Sequence, residues 1–426
     1  MRWLVYPLLT ACLGIVGCGS SSNDAAPPPT TEPEDAGEDA EEELPGEDSG
    51  PETGLPPQCG SMAGLQAGSP WPMANRCPAR INRGKKFPSS AKVGWKYTPD
   101  SVYGELRGSP VVAADGAIYL LAKSGSNRSS ILRLKKDGAF DWYYQVSKTG
   151  SSDEAGPVLT SQDTVVAVHG DTLYAVGLDG KARWDTKLAK STTSNQLSVG
   201  PDGTLYTCAF KLQAFGADGT PKWTVGGDDD LLMGSAVAPD GTVFALGRDL
   251  AVDSGMAMAV SAEGKLLWRK TTKADGVGPM LFPLVRSDGT FLAPMYKDTT
   301  AWSPTGAAKF TAATFEPNGA TLASGGDQLV VSFYGGHPGG YGTVAFTDQG
   351  AKSKEIELCN KLLLSDGDGA VLCGAQPYSE SIIAVGADGE QMWSVEESVG
   401  LGSTAAMGAD GTLYVTTKDG LIAIGP

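Results

Sequence analysis

A short apolar segment centred on alanine, with glycine five residues later, recurs along this chain at intervals of 39 to 45 residues. The pairs are Ala175 with Gly180, Ala214 with Gly219, Ala259 with Gly264, Ala301 with Gly306, Ala345 with Gly350, and Ala384 with Gly389. An earlier copy has Arg133 in the alanine place, with Gly138, and a last copy centred on Ala423 reaches the end of the sequence before its turn. That makes eight copies. A unit of this length is one supersecondary element that cannot bury its own faces, so the copies must stack on one another.

Each unit reads as four short antiparallel strands. A first Asp-Gly turn joins strands one and two, as in Asp115-Gly116, Asp202-Gly203, Asp240-Gly241 and Asp410-Gly411. The conserved-phase glycine of the repeat marks the turn between strands three and four. Asp-Gly between apolar runs is a hairpin signal, because glycine accepts the positive φ that tight turns require. Trp142, Trp184, Trp223, Trp268 and Trp393 each follow the repeat glycine by four residues, which places them on strand four. Phe310 takes that place in the fifth unit and Lys354 in the degenerate sixth. The fixed register of the tryptophans marks them as packing residues rather than a carbohydrate-stacking series. The last unit, 401–426, lacks a fourth strand, and Lys92–Tyr97, which carries Trp95, supplies one from upstream. The expected fold is all-β: an eight-bladed β-propeller of four-stranded antiparallel blades over 92–426, closed by an N-terminal strand. Seven blades is the alternative if the sixth unit is irregular.

The residues before the ring divide into three parts. Residues 1–17 carry Arg2 and a short apolar stretch, Leu4 to Val16, too short for a permanent bilayer span. They end in Ile15-Val16-Gly17-Cys18, which resembles the lipobox of bacterial lipoproteins; Cys18 would be the lipidated residue, and Gly19 after it favours the outer membrane. Residues 18–58 form an acidic tether: its twelve Asp and Glu face no Lys or Arg, so it repels itself and stays extended. Residues 59–91 are an irregular, cysteine-containing lead-in. The net charge of −16 leaves the body mildly acidic once the tether is set aside, which excludes the positive surface nucleic acid needs.

The alanine, Asp-Gly and tryptophan pattern resembles the PQQ-like, quinoprotein-type propeller repeats, and Ser69-Pro70-Trp71-Pro72-Met73 is similar to a segment that precedes such propellers. Two branches carry different functions. Quinoprotein dehydrogenases hold their quinone against a vicinal disulfide, with a calcium and a catalytic Asp; this chain has no adjacent cysteines, so no PQQ and no other cofactor is expected. The BamB-like branch consists of outer-membrane lipoprotein scaffolds of the β-barrel assembly machinery. That resemblance implies a membrane-anchored, non-catalytic, protein-binding scaffold with a monomeric body, whose partners are envelope proteins and, through its acyl chains, the bilayer. The long acidic tether and the Cys59–Cys77 segment depart from that branch. The alternatives are a quinone-dependent dehydrogenase with an unusual site, or a surface-exposed propeller for ligand binding or adhesion.

No catalytic residue and no metal site emerges from residue types and spacing. His169 beside Gly170-Asp171 reads as a turn residue, Asp366-Gly367-Asp368-Gly369 as a hairpin turn, and Asp228-Asp229-Asp230 as a solvated loop. The connections at 121–130, 248–256, 334–342 and 375–381 are longer than the Asp-Gly turns and share one face, where binding is expected. Arg128, His337, Tyr341 and Tyr378 are the candidate binding residues there. Five cysteines remain after Cys12 and Cys18. Bridges are expected between Cys59 and Cys77, closing a loop worth about 3 kcal/mol, and between Cys359 and Cys373, which face each other across a hairpin. Cys208 is left as a buried single thiol.

Overall fold

The computed structural model describes residues 59–100, 104–124, 128–146, 156–189, 197–271, 282–314, 316–323, 328–337, 340–375, 380–399 and 404–425. The expected leader, Cys18 as the expected lipidation residue, and the expected tether lie outside them. The described residues form eight four-stranded antiparallel sheets and no α-helix. In blade 1 the strands are Glu105–Val112, Ile118–Ser124, Arg128–Leu134 and Phe140–Val146, in that spatial order. Seven blades keep this order. The eighth pairs Lys92–Tyr97 with Gly420–Gly425, so its outermost strand comes from upstream of blade 1 and the ring is fastened by its own two ends. Burial rises inward. The fourth strand Ala182–Lys187 alternates exposed and half-buried residues, whereas its blade's first three strands are buried throughout.

The local chemistry of the repeat explains the blade. In the first turns, Asp115, Asp202, Asp240, Asp288 and Asp410 each accept the backbone N–H two residues on, at 2.8–3.0 Å. That pins the turn and leaves the following glycine at positive φ, as at Gly116 (82°). An aromatic residue on strand two packs beneath the strand-four tryptophan of the same blade: Tyr119 on Trp142, Tyr206 on Trp223, Phe244 on Trp268 and Tyr414 on Trp95, with centroids 5.6–5.9 Å apart. Burial pushes the hydroxyls of Tyr119, Tyr206 and Tyr414 up to about 12, so they stay neutral.

Four of these tryptophans also reach the next blade through a hydrogen bond. The indole N–H of Trp95, Trp142, Trp223 and Trp268 donates to the carbonyl of Lys136, Leu178, Ala262 and Pro304 respectively. Those carbonyls stand two residues before Gly138, Gly180, Gly264 and Gly306, on which the indoles rest. Four seams of the ring thus repeat one arrangement: an indole, a glycine and a carbonyl. The sixth blade is regular despite Lys354. Its ammonium donates to the carbonyl of Ala387 at 2.6 Å, two residues before Gly389, so the donor survives where the indole does not. Trp393 faces a blade with no such turn, and its N–H donates instead to Pro88 of the lead-in.

The sequence alone assigns the lead-in no place in the ring. Residues 59–88 form a plug in the mouth of the ring, on the face that carries the first Asp-Gly turns. They meet the ends of all eight inner strands. Val112 pairs with Trp71, Leu159 with Gln66 and Pro72, Val237 with Pro78, Val285 with Ala79, Leu322 with Ile81 and Ser365 with Asn82, all through the backbone. Arg80 reaches Leu197 and Ser198 of the third blade, and the Lys85 N–H rests on the Met407 sulfur of the eighth. Trp71, Met73, Cys77, Ala79, Arg80 and Ile81 are fully buried. Cys59 and Cys77 are bridged, with Cα atoms 5.6 Å apart, as are Cys359 and Cys373, and Cys208 is a buried free thiol. In three of the four long connections the described residues are paired strand. At 121–130, 248–256 and 334–342 the second and third strands extend into a longer hairpin, closing at Ser124–Arg128, Asp249–Ser254 and His337–Gly340. Antiparallel pairing satisfies the backbone of an extended connection as an open loop cannot.

Candidate functional site

Because strands alternate in direction, the connections between second and third strands all emerge opposite the plug. The sequence-derived candidates are distributed over this face rather than gathered into one site. Arg128 begins the third strand of blade 1, His337 ends the second strand of blade 6, and Tyr341 follows in the third strand of that blade. Blades 1 and 6 are not neighbours, so these residues make no common constellation. Tyr378 lies outside the described residues. His169 pairs with Thr172 at the tip of the second blade's hairpin and is buried.

The best-built feature of this face was missed. The hairpin Val243–Asp249 with Ser254–Val260 ends in Leu250-Ala251-Val252-Asp253, and its three apolar tip residues are exposed, Leu250 by 44% and Val252 by 63%. The tip is held from beneath. Arg248 is ion-paired with Asp253, the Ala251 N–H donates to Asp249 Oδ1 at 3.1 Å, and the Leu250 N–H to the carbonyl of Asp229 at 2.8 Å. Below it, Arg269 bridges Asp230 (2.5 Å) and Asp249 (2.8 Å), and Asp230 also accepts the Gly227 N–H. Asp230 is therefore a buried strut and not part of a solvated loop; Asp228 and Asp229 before it are exposed, and Asp228 pairs with Lys211. Among the described residues no group of three or more His, Cys, Asp or Glu is placed to hold a metal. The signal that could have found the finger was a Leu-Ala-Val run at a position where a turn residue is expected.

A rigid scaffold presenting a pre-ordered apolar finger can dock a partner cheaply, because little conformational entropy remains to be lost on binding. The fold and repeat define the class: a β-propeller of PQQ-like repeats. Residues 87–205 match the family model described as outer membrane protein assembly factor BamB, and with its eight blades the chain is a BamB-like propeller repeat protein. No curated protein matches the chain. Among solved structures, the virginiamycin B lyase from Staphylococcus aureus is 12% identical, covering 79% of this chain and 99% of its own, at a TM-score of 0.47. Hydrazine synthase from Kuenenia stuttgartiensis is 11% identical, covering 74% of this chain and 94% of its own, at a TM-score of 0.48. Overlaps that loose say nothing about chemistry.

Proposed function

We propose that this protein is an outer-membrane lipoprotein, anchored through Cys18, that works as a non-catalytic protein-binding scaffold through the face opposite its plug. The observation that carries the proposal is the braced apolar finger Leu250–Val252 on that face of a BamB-like propeller. Fully burying a Leu or Val side chain stabilises by roughly 1.5–3 kcal/mol, enough for two tip residues to make the centre of an interface. The likeness to BamB makes components of outer-membrane barrel assembly the first partners to look for. The test is a photo-crosslinking amino acid at Val252 in intact envelopes, with Leu266 on an outer strand as the exposed control. A discrete envelope protein captured from position 252, and lost when Leu250 is changed to Glu, is the expected result. Equal capture from both positions would refute a docking role for the finger. Retention of a Cys18→Ser variant in the membrane fraction would refute the anchor.

A further inference from the structure

The lead-in has a charge pattern unlike the rest of the molecule. Residues 59–91 hold Arg76, Arg80, Arg83, Lys85 and Lys86 and no acid at all, in a protein of net charge −16. Placing that cationic run in the mouth of a ring is expensive unless each charge finds a partner. Two do so in plain ways. Arg80, fully buried, is surrounded by carbonyl and hydroxyl oxygens: Nε donates to Ser235, Nη2 to Leu197 and to Ser198 Oγ. Lys86 pairs with Asp368 at 2.9 Å.

Arg76 is different. It is 3% exposed, its Nη1 donates to the carbonyl of Arg83, and its guanidinium lies over the Trp71 ring, 5.7 Å from the centroid. No carboxylate is paired with it among the described residues, and burial, with Arg83 nearby, lowers it to about 10, which still leaves it cationic at neutral pH. Its Nε and the indole nitrogen of Trp71, also buried, have no hydrogen-bond partner among the described residues. Both side chains line a half-open cavity of about 170 Å³, closed on the other sides by Pro70, Lys85, Met407 and the glycines 68, 84 and 408. Lys85 stands at its rim, exposed, with Nζ donating to the carbonyl of Ala409 at 2.9 Å and two ammonium protons still to place. No residue lining the cavity is acidic.

We propose that this cavity, between the lead-in and the eighth blade, binds a small oxyanion, a carboxylate or phosphate group on a body of few heavy atoms, held by Arg76 and Lys85 against the Trp71 ring. The cavity is smaller than the ~300–1,000 Å³ of ordinary ligand pockets, which limits the occupant to a small solute. The anion supplies the counter-charge that the fold itself withholds from Arg76, so binding also stabilises the plug. The site is on the turn face and is independent of the docking finger.

The test is isothermal titration of the intact mature protein with inorganic phosphate and with succinate, at constant ionic strength set by chloride. Saturable binding of either at millimolar concentration or below is expected, with a matching rise in melting temperature. Lys85→Ala weakens it at least about fivefold, the loss of one charge-assisted hydrogen bond. Lys86→Ala, next in sequence but engaged with Asp368, leaves it unchanged. Lys85 is exposed, so its variant folds whatever Arg76→Gln does. Binding of phosphate alone identifies a phosphate site and of succinate alone a carboxylate site. Absence of saturable binding of both, or equal weakening by Lys85→Ala and Lys86→Ala, overturns the proposal.

Discussion

Gly138 and Gly241 form a matched pair for measuring what one blade seam contributes. Both follow Asp in a hairpin turn and both sit at φ +83°. A Cβ built on Gly241 meets nothing within 4 Å, whereas one on Gly138 falls 2.5 Å from Cδ2 and Cε3 of Trp95. Alanine at either position pays the left-handed backbone cost, about 1–2 kcal/mol, and alters the unfolded chain equally. At Gly138 the Trp95 indole must also move. That costs about 1–3 kcal/mol for overpacking and about 1 kcal/mol for the 3.2 Å hydrogen bond from Trp95 to Lys136. Gly138→Ala should therefore destabilise by about 2–4 kcal/mol more than Gly241→Ala, and at the closing seam, where Trp95 comes from the strand that fastens the ring. Guanidinium unfolding of the mature domain, followed by tryptophan fluorescence and far-UV circular dichroism, gives the comparison. A chain this large need not unfold in one step, so coincidence of the two probes is checked first. The double variant Trp95→Ala/Gly138→Ala removes the clash, and adding Gly138→Ala in that background should cost no more than Gly241→Ala. Equal losses for the two single variants would refute the seam as an energetic unit.

Two further outcomes follow from buried and paired ionisable groups. Partial burial works against ionisation of Asp288 and Asp410, yet hydrogen bonds from Lys309 and Thr290 to the first, and from Lys136 and Thr412 to the second, hold both down to about 2. A folded pKa below the unfolded one, 3.8, gives stability that is complete above about pH 4 and lost as pH falls toward 2; melting temperature should decline across that window, less steeply in the Asp288→Asn/Asp410→Asn variant, and an unchanged acid limb would disprove the assignment. Cys208 is buried and its thiol is pushed up to about 12, with a Ser235 hydrogen bond and Arg80 opposing only in part. Iodoacetamide at pH 8 should leave it unmodified in the native protein and alkylate it fully in denaturant, as read by mass spectrometry; rapid native labelling would contradict the burial.

Much of the ring was legible because its rules are local. An aspartate that accepts the N–H two residues on, and a glycine free to take positive φ, specify a hairpin from four residues of sequence, and eight repetitions point to eight blades, with only the sixth unit leaving seven open. The fastening strand Lys92–Tyr97 was legible for the same reason: it carries the tryptophan that the last blade lacks. Even Lys354, read as degeneracy, turns out to preserve the donor of the seam, a fact visible only once the Ala387 carbonyl stands opposite it.

The sequence by itself determined the repeat, the blade and how the circle closes, since each rests on contacts within a few residues or on a pattern that recurs, while the structure decided eight blades over seven. Only the tertiary structure decided what the lead-in does, which hairpin carries the exposed finger, and which cations share a cavity. Asn82 meets Leu363 across 281 residues of chain, and Arg80 meets Ser235 across 155. Such contacts leave no periodic trace, because they form between one unrepeated segment and eight blades that present their inner ends to it only after the ring has closed.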